Sequence, residues 1–201
     1  MLSIIEAAGW PIWPIILCSV AALAIICERF YSLRRSLILP PSLFGDTVQA
    51  YRAQGLSAEL ITKLQGNSLL GRVFAAGLQN VKSSREVMKE SMEEAGRAVL
   101  VDLERFLTGL GTIASVAPLL GLFGTVIGMI EIFGSTTGAG ANPAQLAHGI
   151  SVALYNTAFG IGVAVPAMIF YRHFRAKVDV LVVDMEQQGV KLVETLHGSR
   201  S

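Results

Sequence analysis

Thr125, Thr157 and Asn156 are polar side chains set deep in stretches that are otherwise apolar. A threonine hydroxyl offers one donor and two acceptor sites, but it does not titrate usefully near neutral pH. Such groups can line a path for water and protons without carrying the proton themselves. Counted from Phe133, Thr125 lies about eight residues, or ~12 Å, inside its stretch; counted from His148, Thr157 lies about nine, or ~14 Å. The two stretches run in opposite directions, so both hydroxyls reach a similar depth, with the Asn156 amide beside them. A single threonine in such a helix commonly back-bonds to its own carbonyls. Two at one depth, on faces of small residues, point instead to a polar ring in an oligomer. No Asp, Glu, Lys or Arg lies deep in any apolar stretch, whereas a proton relay normally uses one. If protons cross here, the titrating carboxylate belongs to another chain.

The elements that hold these residues follow from small-residue spacing. Gly111, Ser115, Pro118, Gly121, Thr125 and Gly128 succeed one another by three or four positions. Gly149, Ala153, Thr157, Gly160 and Ala164 do the same, and Gly124 and Pro166 lie in the same two stretches. Each set is a stripe along one helix face, which lets helix backbones approach closely in lipid. Close packing alone accounts for most of the glycines and alanines.

Of 201 residues 52% are hydrophobic and only 15% charged, too few charges to cover the surface of a soluble domain of this length. The charges gather in about 28–105 and 172–200. Outside them lie three spans, one before the first and two between the pair, of the length that a hydrocarbon core of about 30 Å requires. We place them at 10–29, 106–133 and 148–171. Trp10 and Trp13 suit an outer aromatic belt, and Arg29, Arg34, Arg35, Arg172 and Arg175 suit the inner interface, anchoring headgroups or binding membrane lipids. A cleaved signal peptide fits the first span poorly, because no Lys or Arg precedes it. The loop 134–147 (GSTTGAGANPAQLA) has no Lys or Arg either. The positive-inside rule then puts 1–9 and 134–147 in the periplasm or exterior, and 30–105 and 172–201 in the cytoplasm.

The cytoplasmic parts read as helix, giving an all-α integral membrane protein with three transmembrane helices and long cytoplasmic helical extensions. Ser83 and Glu86 have the spacing of a capping box, and no Pro follows before the second span, so one helix is expected to run from there into the membrane. Phe174, Val178, Leu181, Val182, Met185 and Leu192 continue the third span at helical spacing. Pro40-Pro41 marks a break after the first span, and Gly55, Gly66 and Gly71 punctuate a helical hairpin region.

A net charge of +1 gives no footing for nucleic acid. Cys18 and Cys27 offer neither a disulfide framework nor a metal spacing. No cofactor motif, HExxH, GxSxG or phosphate loop occurs, and Ser115 and Ser151 have no companion base, so an enzyme is not expected. His148, His173, His197 and Glu131 read as interfacial or solvated.

The segments TIASVAPLLGLFGTVIGM and LAHGISVALYNTAFGIGVAVPAMIFY, with ERFYSLRR after the first span, resemble the MotA/TolQ/ExbB proton-channel family, nearest its short ExbB-type members. The resemblance covers essentially the whole chain. It implies a homopentamer around a dimer of a single-span ExbD-, TolR- or MotB-like partner whose transmembrane Asp carries the proton. It carries the family's pore threonines over to Thr125 and Thr157, and it implies a bacterial inner-membrane motor that delivers force to TonB-like or Tol-type machinery. A TolQ-like subunit and a non-conducting scaffold are the alternatives. One departure stands out: many ExbB-type members have Glu early in the third span, where this chain has Val152.

Overall fold

The computed structural model describes residues 9–135 and 143–198, with the backbone alone for Ser135, Pro143, Gln145, Leu146, His148 and Val152. Most of the expected N-terminal segment and outer loop, and the side chains of His148 and Val152, lie outside the described residues. The described residues form eight helices and no strand: α1 (Ile12–Ser32), α2 (Arg35–Ile38), α3 (Leu43–Gln54), α4 (Ala58–Asn67), α5 (Leu69–Gln79), α6 (Arg85–Glu104), α7 (Leu107–Ser135) and α8 (Pro143–His197). Three stretches of helix are long and apolar enough to cross a membrane, and they fall in α1, α7 and α8. The chain divides into two compact units, Met1–Glu28 with Phe106–His173, and Arg29–Arg105 with Phe174–Ser201.

In the first unit α1, α7 and the first part of α8 pack through small and branched side chains. Ile12, Ile15, Ala22, Leu110, Ala114, Ala117, Ala153, Ala164 and Ala167 are buried. Leu17, Leu23, Leu119, Leu122, Leu154, Val165 and Ile169 are exposed, a surface suited to lipid or to neighbouring apolar helices rather than to water. Pro118 and Pro166 both lie inside helices that continue through them. Trp10 packs edge-on against Phe123, ring centroids 6.2 Å apart, and Gly109 faces Ile25. The first helix therefore starts level with the middle of α7. A count that treats the spans as flush at their outer ends misses this stagger, because nothing within one helix records its height against another.

The second unit is built from short capped helices. Ser57, Ser68 and Ser84 accept from the backbone N–H of Leu60, Gly71 and Val87 at 3.1, 3.1 and 3.3 Å, each satisfying an orphan donor at a helix start. The cap of α6 is thus Ser84 rather than Ser83, one residue later than the capping-box spacing suggests. Gly55, at φ +70, closes α3, and the chain breaks around Pro40-Pro41, as read from sequence. Gly66 and Gly71 instead lie within α4 and α5; a side chain on Gly71 would strike the Leu64 carbonyl, so this glycine allows α4 and α5 to close on each other.

Phe74, Leu78, Met88, Phe174, Val178 and Leu192 are almost wholly buried. Phe174 meets Phe30 edge to face at 5.1 Å, and Gly77 makes room for Met92. The helical stripe read beyond the third span is therefore a core face, with Leu181 and Met185 also buried and Val182 at its edge. The expected single helix from the cytoplasm into the second span is interrupted by a turn: Arg105 leaves helical angles (φ −50, ψ 136), Phe106 has φ +64, and α7 starts afresh at Leu107.

Candidate ion pathway

The seam between α7 and α8 is made by missing side chains. A Cβ on Gly121 would lie 2.8 Å from the Asn156 carbonyl oxygen and 3.0 Å from the Thr157 Cα. One on Gly160 would lie 2.6 Å from the Ala117 carbonyl oxygen and 3.0 Å from the Gly121 Cα. Backbone thus meets backbone here, a distance only glycine on both helices permits. One turn further along Gly124 faces the Asn156 side chain, and a turn beyond that Gly128 faces Ala153.

This register fixes the heights of the polar residues. Thr157 stands level with the Gly121 turn, and its hydroxyl donates across the seam to the Gly121 carbonyl at 3.2 Å. Thr125 follows one turn later and donates back to the Leu122 carbonyl of its own helix at 2.6 Å. The two hydroxyls lie within about one helical turn, ~5.4 Å, of a common level. Both are partly exposed in the single chain. Since each donates its proton to a carbonyl, each keeps its oxygen lone pairs to accept from something else.

Asn156 is placed differently. It is fully buried and packs on Gly124, inside the seam and away from any face of the chain. Its contacts suit it to position α8 against α7 rather than to line a surface. Small-residue spacing signalled the seam but could not tell which polar residue turns into it. Of the packing residues read from sequence, Gly121, Gly124, Gly128 and Gly160 meet across the seam. Pro118 is partly covered, whereas Pro166 is exposed. Glu131 is exposed, while its neighbour Ile132 is buried against Gly149 of α8.

The five arginines expected at the inner interface have unequal environments. Arg29 is 4% exposed and donates to the Leu103 carbonyl at 3.1 Å, a buried structural contact rather than a headgroup anchor. Arg35 pairs with Asp184 at 2.9 Å, and Arg175 pairs with Glu104. Arg34 lies over the Tyr31 ring at 5.3 Å, and Arg172 is exposed. An excess of Arg after a span fixes topology, but the same side chains are free to find carbonyls and carboxylates once helices pack around them.

The family model described as the MotA/TolQ/ExbB proton channel family matches residues 65–187, which include α5 to α7, the seam and most of α8. The ExbB-like 3 protein of Synechocystis sp. is 34% identical over 177 residues, 85% of this chain and 82% of that one. The biopolymer transport protein exbB1 of Vibrio cholerae serotype O1 is 31% identical over 171 residues, 81% of this chain and 74% of its own. The Tol-Pal system protein TolQ of Pseudomonas aeruginosa is 40% identical over a shorter 149 residues, 68% and 62%. A family match over more than half the chain, laid on three membrane-length helices and a glycine seam bearing two hydroxyls, makes this all-α, multi-pass inner-membrane protein a member of the MotA/TolQ/ExbB proton channel family.

Proposed function

We propose that the chain is the proton-channel and stator subunit of a motor driven by the proton-motive force, working in the ExbB manner to energise TonB-dependent outer-membrane import. Five copies surround a dimer of a single-span, ExbD-like partner, with the N-terminus in the periplasm. Thr125 and Thr157 form the polar ring facing that partner. The observation that carries this reading is two hydroxyls near one level, both already spent as donors, in spans with no Asp, Glu, Lys or Arg set deep within them. Acceptor oxygens suit a protonated, neutral carboxylic acid, which must donate its O–H while it crosses a medium that rejects charge. One charge crossing 100 mV supplies roughly 2.3 kcal/mol, so several protons can power a conformational cycle.

The test is proton flux in liposomes holding the chain together with a candidate single-span partner. Flux should need both chains, vanish when the partner's intramembrane Asp becomes Asn, and fall sharply in Thr125→Val with Thr157→Val while native mass spectrometry still counts five subunits. Flux through the isolated chain, or an unimpaired double variant, refutes the reading. The 40% identity to a TolQ favours one alternative, a subunit of a Tol-Pal envelope system. Preference for a TolR-like over an ExbD-like partner in co-purification decides between them.

A further inference from the structure

We propose that α7 and α8 carry the two halves of a contact between copies of this chain within the membrane. The Gly162 carbonyl of one copy accepts a hydrogen bond from the Ser115 or Thr112 hydroxyl of the next. This deepens the assembly named in the proposed function and rests on that reading for the presence of several copies.

Pro166 lies inside α8 and has no N–H, so the carbonyl four residues earlier, at Gly162, loses its helical donor. Pro118 does the same to Ala114 in α7, but Ala114 is buried. Gly162 is exposed, and a Cβ on it would meet nothing within 4 Å. It lies nine residues, or ~14 Å, inside the span counted from Tyr171. Lipid offers no donor at that depth. A carbonyl freed by proline in a membrane helix is satisfied by neighbouring helices, Ser and Thr side chains or ordered water.

Donors stand at the same height on the other helix. The seam sets Ala117 against Gly160 and Gly111 against Tyr171. Ser115 and Thr112 on α7 fall between these two contacts, as Gly162 and Pro166 do on α8. Both hydroxyls are exposed, whereas Ala114 and Ala117 beside them are buried. In the single chain Thr112 donates to the Thr108 carbonyl at 2.9 Å and Ser115 to the Gly111 carbonyl at 3.0 Å. Those carbonyls already accept from N–H groups of their own helix, so little is lost when a hydroxyl turns to one that has no donor. A second copy, turned about the membrane normal, keeps donor and acceptor at one depth and brings its α7 to the first copy's α8. Ala158 and Gly162, small, exposed and one turn apart, let that helix approach closely. A contact between two different faces runs head to tail, and where the rotation closes it makes a ring.

The test uses the full chain in membranes, with Cys18 and Cys27 replaced by Ser. A Ser115→Cys chain is co-expressed with a differently tagged Gly162→Cys chain, and disulfide-linked pairs bearing both tags are counted after mild oxidation. A disulfide needs Cα atoms within about 7 Å, so the link reports this contact alone. The mixed pair should exceed a control pair of Gly162→Cys with Leu23→Cys at least tenfold. Native mass spectrometry gives the second measurement. Gly162→Leu has open space in the single chain and should fold, yet should raise the dissociation constant of the assembly tenfold or more. Pro166→Ala returns the missing N–H and should weaken each contact about threefold, the average worth of an interhelix bond in lipid. The contact is overturned if the mixed pair forms no better than the control, or if Gly162→Leu assembles like the wild type. Either result leaves the proposed ion pathway standing when proton flux still needs the partner chain. Conversely, the mixed pair without partner-dependent flux keeps the contact and removes the pathway.

Discussion

At the level of single residues the seam between α7 and α8 is the most exacting place in the chain. Gly121 has no room for a side chain, since the atoms it would meet are backbone and cannot swing aside. Gly121→Val should therefore cost at least the roughly 1–3 kcal/mol of an overpacked core, read as a lowered unfolding temperature in detergent. Thr157→Val is the milder probe. It removes the hydroxyl bond to the Gly121 carbonyl but keeps shape, and inter-helix bonds of this kind average about 0.6 kcal/mol in membrane proteins. The expected result is a small stability loss, well below that of Gly121→Val. Sequence spacing revealed that these residues share faces. It left open that Thr157 bonds across the seam while Thr125 bonds to its own helix.

Helix ends show how little separates a right element from a right boundary. Ser83 and Ser84 both precede α6, and either is chemically able to cap it. The structure uses Ser84, whose oxygen accepts from Val87. Ser84→Ala should cost about 1 kcal/mol of stability, whereas Ser83→Ala should stay within about 0.5 kcal/mol, and denaturant unfolding followed by circular dichroism separates them. The third membrane helix is a clearer success for pattern. Helical spacing continues beyond Arg172, and the structure carries α8 unbroken to His197 through Pro166. Its beginning was less legible: α8 starts at Pro143, five residues before His148, because a proline at a first helical position reads equally well as loop.

For the molecule as a whole, charge distribution makes the firmest forecast. With Cys18 and Cys27 replaced, cysteines introduced at Ser3 and Thr137 should react with a membrane-impermeant thiol reagent in spheroplasts. Those at Ser36 and Lys82 should react only after permeabilisation, and the reverse pattern would invert the proposed topology. Ion pairs between helices add little by comparison. The Arg35 side chain is 72% exposed in its pair with Asp184, so Arg35→Ala should cost less than about 1 kcal/mol in thermal unfolding.

The sequence by itself determined that the chain crosses a membrane three times, which helix faces are built for close approach, and that no acid lies deep in its spans. Each of these follows from composition or periodicity along one segment, where lipid admits little besides satisfied, apolar helix. Tertiary structure alone decided the stagger of α1 against α7, the burial of Asn156 and Arg29, and the break at Phe106. Those depend on which atoms of distant segments meet in space, and no pattern within a single helix encodes its partner's height.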